Sequence, residues 1–180
     1  MMSDYFDLVK RRESCRNFDP ERIVEKEKLT RCGEAAWLAP SACNGQPWKY
    51  LIVTNPELAA KLRPMMQELG MNKFLNACNA FAVVVQEATV LKVSASQRLK
   101  DQDFAPIDIG FSASQFCYAA AEQGLSTCVI GWHNELKIRE LFGLTKTERV
   151  RLVLAVGYAK TDKLRTKQRK PIEDVVKYYE

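Results

Sequence analysis

The sequence predicts an α+β domain, a three-layer α/β/α arrangement of helices about a sheet. Three observations carry this. Four short runs rich in β-branched and apolar residues stand at 48–54, 80–87, 126–132 and 149–158. The segments between them repeat apolar residues every three or four positions, the spacing of one helix face. No repeat, linker or low-complexity stretch divides the 180 residues, so 1–180 reads as a single domain, or as one protomer of an intertwined oligomer.

The elements follow in order. Residues 4–13 place Phe6 and Val9, with Tyr5, on one side of a helix. Residues 25–38 place Leu29, Cys32, Gly33, Ala36 and Trp37 at i, i+3, i+4, i+7 and i+8, and Pro40 stops that helix. "WKYLIVT" (48–54) is a strand. Residues 56–69 open a helix with Pro56 at its first position and break it at Pro64. "AFAVVVQE" (80–87) is a short buried strand. Residues 88–104 read as either helix or loop. Residues 106–123 form a long apolar helix closed by Gly124. "STCVIGW" is a strand, and "NELKIRELFGL" is a helix with Asn134 as N-cap and Gly143 as stop. "RVRLVLAVGY" alternates and then runs apolar, as a central strand does. Pro171–Tyr178 is a last short helix. The helix at 106–123 is apolar or small on most faces, so it must be covered all round. Its own sheet and a partner subunit are both candidate covers, and Ala113 and Ala120 are the small residues a partner would meet.

Composition excludes several classes. The chain is 47% hydrophobic and 27% charged, which suits a globular protein. No stretch approaches the roughly 20 apolar residues that span a bilayer, and "MMSDYFDLVKRRES" lacks an apolar signal core. A cytoplasmic location without a membrane partner is expected. Six cysteines, at 15, 32, 43, 78, 117 and 128, form no C-x-x-C and read as reduced thiols. Cys117 and Cys128 sit among apolar residues and read as packing. His133 is the only histidine, so no metal site is expected and a nucleophilic triad would have to rely on it alone.

Net charge is +5, concentrated in "KRRESCR" (10–16) and "KLRTKQRK" (163–170). Either cluster alone reads as a solvated face; brought together, they suit one phosphate. The second cluster has no interleaved aromatics, which argues against nucleic acid. The loop "APSACNGQPW" (39–48) also has two readings. Asn44-Gly45 is turn punctuation that tolerates positive φ, and Ser41, Asn44 and Gln46 could bind a flat ligand.

Read together, "RRESCRNF", "APSACNGQPW" and "GLSTCVIGW…GY…KQRKP" resemble, in order and spacing over residues 6–178, the FMN-dependent nitroreductase family. The resemblance implies a nitroreductase-like α/β/α fold with a mixed, mainly antiparallel sheet. It implies an intertwined homodimer with two FMN sites at the subunit interface and the 106–123 helix at that interface. The polar loop would line the flavin and reach the partner's FMN.

The FMN phosphate needs fixed cations and donors, for which Arg12, Ser14, Lys167 and Arg169 are the candidates. Arg16 would meet the pyrimidine edge of the ring with support from Asn44 and Gln46, and Lys73 resembles a family lysine near that edge. Ile130 and Gly131 would offer backbone to flavin N5, and Pro40 and Ser41 would shape the loop near the ribityl chain. Trp132 reads as either a substrate-facing or a core residue. Glu13 is expected to point to solvent, because a carboxylate would repel a phosphate. The implied activity is ping-pong oxidoreduction: NADH or NADPH gives a hydride, and a nitroaromatic, quinone or similar small molecule accepts the electrons. No protein side chain is then required as a catalytic residue. The same fold hosts reductive dehalogenation and flavin-consuming chemistry, and a non-catalytic FMN-binding protein is the third alternative.

Overall fold

The computed structural model describes residues 5–87 and 103–180. In chain order they form α1 (Tyr5–Arg11), α2 (Lys26–Trp37), β1 (Trp48–Val53), α3 (Pro56–Leu62), β2 (Ala80–Gln86), α4 (Ala105–Glu122), β3 (Ser126–Ile130), α5 (Glu135–Phe142), β4 (Arg149–Gly157) and α6 (Ile172–Val175). Single 3₁₀ turns occupy Ala42–Asn44, Arg63–Met66, Glu68–Gly70 and Lys73–Ala77.

All four expected strands are present, in the order β1-β2-β4-β3, with every neighbouring pair antiparallel. Parallel pairing enters, among the described residues, only as a one-residue bridge between Ser14 and Thr127. The period of two along β2 divides the core. Phe81, Val83 and Val85 pack with Val53, Leu62, Met66 and Ile138 on one face of the sheet. Ala80, Ala82 and Val84 pack with Leu29, Ala36, Ile109 and Phe116 on the other. Helices therefore cover both faces, and β2 reads as an unbroken apolar run because neither face meets water.

Local signals set the helix ends. The Asn134 side chain accepts the Lys137 N–H at 3.1 Å, and Gly124 and Gly143 end α4 and α5 with φ of +75° and +61°. Helix α3 stops at Leu62 and 3₁₀ turns follow, because Pro64 cannot donate the next helical hydrogen bond.

Three expectations change. Trp37 is exposed, and α2 buries Leu29, Cys32 and Ala36 instead; Trp37 is the last helical residue, where the chain already turns away. The terminal helix covers only Ile172–Val175, with no buried residue to hold further turns. Ala113 and Ala120 both face this chain's own core, and the stripe of α4 left open is Ile107, Phe111 and Ser114. Residues 88–102 of the segment read as helix or loop lie outside the described residues. No described helix is long and apolar enough to cross a membrane.

Candidate functional site

The segment after α1 runs alongside edge strand β3. The Cys15 N–H donates to the Thr127 carbonyl at 2.8 Å, and the Lys160 N–H donates to the Asn17 carbonyl at 2.9 Å. Phe18 anchors the segment by lying on Gly157, where an added Cβ would stand 2.9 Å from the ring. Pinned in this way, Cys15 is buried, while Arg12, Ser14 and Arg16 at alternate positions turn to the opposite side.

The tail beyond β4 returns to this segment, and Arg165 latches the two together. Its backbone N–H donates to Glu13 Oε2 at 3.0 Å, and its guanidinium lies 3.8 Å from the same oxygen. The guanidinium also donates to the Ser14 carbonyl. The result is a cleft of about 380 Å³ lined by Arg12, Glu13, Ser14 and Arg16 on one side and by residues 165–169 on the other. The two basic clusters, from opposite ends of the chain, thus share one site. Glu13 does not point to solvent as expected: Arg165 engages its carboxylate and draws it into the latch.

Among the described residues, Arg12, Arg16, Lys167 and Arg169 have no acidic side chain within ion-pair distance. Burial, then the neighbouring Arg12, hold the Lys167 amine below the ordinary lysine value, with Arg169 and Arg165 adding to the effect and Glu13 opposing it. Such a set of uncompensated cations fits a dianionic phosphate, whose oxygens match the guanidinium fork.

The loop Ser41–Gln46 is a tight turn. Ser41 Oγ accepts the Gln46 N–H at 3.0 Å, and the Gln46 side-chain amide donates to the Asn44 carbonyl at 3.2 Å. Its positive φ angles fall on Cys43 (+52°), Asn44 (+55°) and Gln46 (+43°), whereas Gly45 is right-handed at −70°. Three strained non-glycine residues within four is a pattern that clusters at functional sites. Asn44 and Gln46 are exposed, and Pro47 and Trp48 anchor the loop in the protein.

At the end of β3, Ile130 is buried and Gly131 lies open, with nothing within 4 Å of where its Cβ would stand. Trp132 is exposed, which excludes the core reading. Lys73 is exposed on a 3₁₀ turn preceded by left-handed Leu69, Gly70 and Asn72. That loop is tied to the start of α5, where the Asn134 side chain donates to Glu68 Oε1 at 2.7 Å. His133 makes a 3.1 Å hydrogen bond through Nε2 to the Val150 carbonyl, a structural contact beside β4.

Of the expected site residues, the structure therefore brings Arg12, Ser14, Arg16, Lys167 and Arg169 into one cleft. Pro40, Ser41, Asn44, Gln46, Lys73, Ile130 and Gly131 do not line it. Two residues went unread in the sequence. Arg165 lay within a basic run that gave no hint of which cation would turn inward. Asp108, which bonds the polar loop, had a signal: it is the only charge in the first seventeen residues of an apolar helix.

A model of the Nitroreductase family matches residues 9–158. The chain belongs to the nitroreductase family. The protein YdgI of Bacillus subtilis, assigned by name to the NAD(P)H nitroreductases, is 27% identical over 206 residues, covering 98% of both chains. An oxygen-insensitive NADPH nitroreductase of Helicobacter acinonychis is 25% identical over 195 residues, covering 91% of each. Among solved structures, a protein of Exiguobacterium sibiricum in complex with FMN superposes with a TM-score of 0.82 at 25% identity, over 98% of each chain. The nitroreductase fold accounts for the antiparallel sheet between two helical layers seen here.

Proposed function

We propose that this chain is an FMN-dependent NAD(P)H oxidoreductase, working as a homodimer and passing electrons to a small acceptor such as a nitroaromatic or a quinone. The observation that carries the reading is the cleft between the two chain ends, where Arg12, Arg16, Lys167 and Arg169 converge and, among the described residues, none of the four is in an ion pair. The names of the relatives, which include NAD(P)H nitroreductases and an FMN complex, support it.

Arg12, Ser14, Lys167 and Arg169 hold the phosphate. Arg16, on the same side of the segment, reaches toward the ring, where a cation stabilises the negative charge that reduction brings. Ile130 and Gly131 continue the strand to which Ser14 is pinned, and the open space over Gly131 admits a ring close to the backbone. Asn44 and Gln46, with Pro40, Ser41 and Lys73, act from outside the cleft and complete the site in the dimer. Bound FMN supplies the redox chemistry, so the protein needs no general acid or nucleophile of its own. Its contributions are position and charge.

The dimer rests on uncovered apolar surface. Tyr5 of α1, and Ile107 and Phe111 of α4, are exposed on neighbouring helices, Tyr5 lying 6.2 Å from Tyr118 of α4. Ile172, Val175, Val176, Tyr178 and Tyr179 of the tail are exposed as well. A second copy would cover these surfaces.

The test is direct. The purified protein is stripped of flavin, reconstituted with FMN and mixed anaerobically with NADH or NADPH. Bleaching of the flavin, followed by recovery of colour on adding a quinone, is the expected result. FMN that binds but is not bleached by either nucleotide would reduce the protein to a flavin carrier.

A further inference from the structure

The strained loop Ser41–Gln46 is gripped from outside by one side chain. Asp108, in the first turn of α4, is only 6% exposed. Both of its carboxylate oxygens accept the Ala42 N–H, each at 3.2 Å. Among the described residues, no other side chain outside the loop bonds to residues 40–46. The remaining side-chain bonds, Ser41 to Gln46 and Gln46 to Asn44, close the loop on itself, as do the backbone bonds of its turn; beyond them, the Trp48 N–H donates to the Gln46 carbonyl at 2.8 Å and ties the far end to β1.

A buried carboxylate is costly unless it is bonded. Two features support this one: the Ala42 N–H, and the positive end of the 18-residue helix in whose first turn it lies. In return, Asp108 fixes the residue that opens the left-handed stretch. Ala42 begins the 3₁₀ turn, and Cys43, Asn44 and Gln46 follow with positive φ. Each of those conformations is unfavourable for a non-glycine residue, so an untethered loop would relax to other shapes. Asp108 also sits between Ile107 and Phe111, the exposed apolar residues of α4. Asp108 itself lies on the buried side of α4 with Ser112, beside that open stripe and not on it.

We propose that Asp108 is a positioning residue for the flavin ring: it holds the loop in its strained shape before the cofactor arrives, so that Asn44 and Gln46 are already aimed. This rests on the FMN reading above and deepens it. Preorganisation of this kind strengthens binding by removing an ordering cost. It acts at the ring end of the ligand, whereas the cation cleft acts at the phosphate end. The two ends therefore separate experimentally: riboflavin, which has no phosphate, depends on Asp108 as strongly as FMN does.

Two variants act on the same hydrogen bond from its two sides, one removing its charge assistance and the other its donor. Asp108→Asn removes the charge, and Ala42→Pro removes the N–H while leaving Asp108 in place. Binding of FMN and of riboflavin is measured by flavin fluorescence, together with amide exchange of the 40–47 peptide and the melting temperature of the apoprotein. Each variant is expected to weaken FMN and riboflavin by one common factor, about tenfold for Ala42→Pro, which loses the whole charge-assisted hydrogen bond, and less for Asp108→Asn, which keeps a neutral acceptor. Exchange at residues 43–46 rises, and the flavin absorption bands shift in the bound state. Should Asp108→Asn fail to fold, Ala42→Pro decides. Folded variants with wild-type affinities and an unchanged exchange pattern overturn the proposal. So does a loss confined to FMN, which would move Asp108 to the phosphate end. A wild-type protein that takes up neither flavin overturns the function reading, and this proposal with it.

Discussion

Strand β2 and the tail beyond β4 are opposite extremes of one chain. Ala80–Val85 is buried throughout, with side chains entering a core on each face of the sheet. None of residues 159–180 is buried, although the tail carries Ile172, Val175, Val176 and two tyrosines, and Tyr179 is 96% exposed. The sheet is complete within one subunit. The periphery is not: among the described residues, α1, one stripe of α4 and the tail expose apolar surface, and the cleft beneath the tail gathers five basic side chains against one carboxylate, Glu13, which Arg165 already engages. Buried contacts are thus concentrated in one region and the proposed function in the other, and on that proposal the second region is the one completed by other molecules.

The largest effect should come from the region that needs nothing. Phe81 is fully buried, and Phe81→Ala should remove about 3–5 kcal/mol from a domain whose whole stability is about 5–15 kcal/mol. Tyr179→Ala, in the same denaturant titration, should stay within about 0.5 kcal/mol. Comparable shifts for the two would erase the contrast.

Next comes the uncovered face of α4. Phe111 is 53% exposed in the single chain, so Phe111→Glu should leave the subunit folded. In the proposed dimer it would place an unpaired charge in the interface, a cost on the order of 3 kcal/mol. Light scattering should then report monomer, and flavin absorbance should fall with it, because a ligand that binds only the dimer is linked to assembly. A monomer that retains stoichiometric FMN would show that the site is built within one subunit.

The smallest effect is electrostatic. Burial and Arg12 hold the Lys167 pKa below the ordinary 10.5, and a bound phosphate would raise it again. FMN binding then takes up a proton at alkaline pH between the two values. Affinity should be full below the pKa of free Lys167 and should fall as pH rises through it, while the apoprotein gains stability over that window as Lys167 sheds an unfavourable charge. Lys167→Arg should flatten the profile, because Arg does not titrate there. A falling profile that persists in this variant would assign the proton to another group.

The legible parts of the molecule were those governed by near neighbours. Asn134, Gly124 and Gly143 end their helices as their types dictate, and the strand runs follow β-branched composition. The misread parts were decided at a distance. A local rule predicts positive φ at Asn44-Gly45; it holds at Asn44, but Cys43 and Gln46 share it while the glycine is right-handed, in a loop bonded by Asp108 from 66 residues away. Glu13 was sent to solvent by its repulsion from a phosphate, yet Arg165, 152 residues along the chain, captures it. Trp37 satisfied the helix period but falls at the helix end, where the period no longer points inward. The meeting of the two basic clusters was anticipated from the chemistry of a phosphate ligand, since no periodicity links residues 12 and 169.

The proposed function requires that cations from both chain ends bind the FMN phosphate. Its most direct test is titration of wild-type and Arg169→Ala apoprotein with FMN and with riboflavin, in parallel. The predicted result is a loss of about 1.5–3 kcal/mol for FMN and almost none for riboflavin. An equal loss for the two ligands, or none for either, would contradict it.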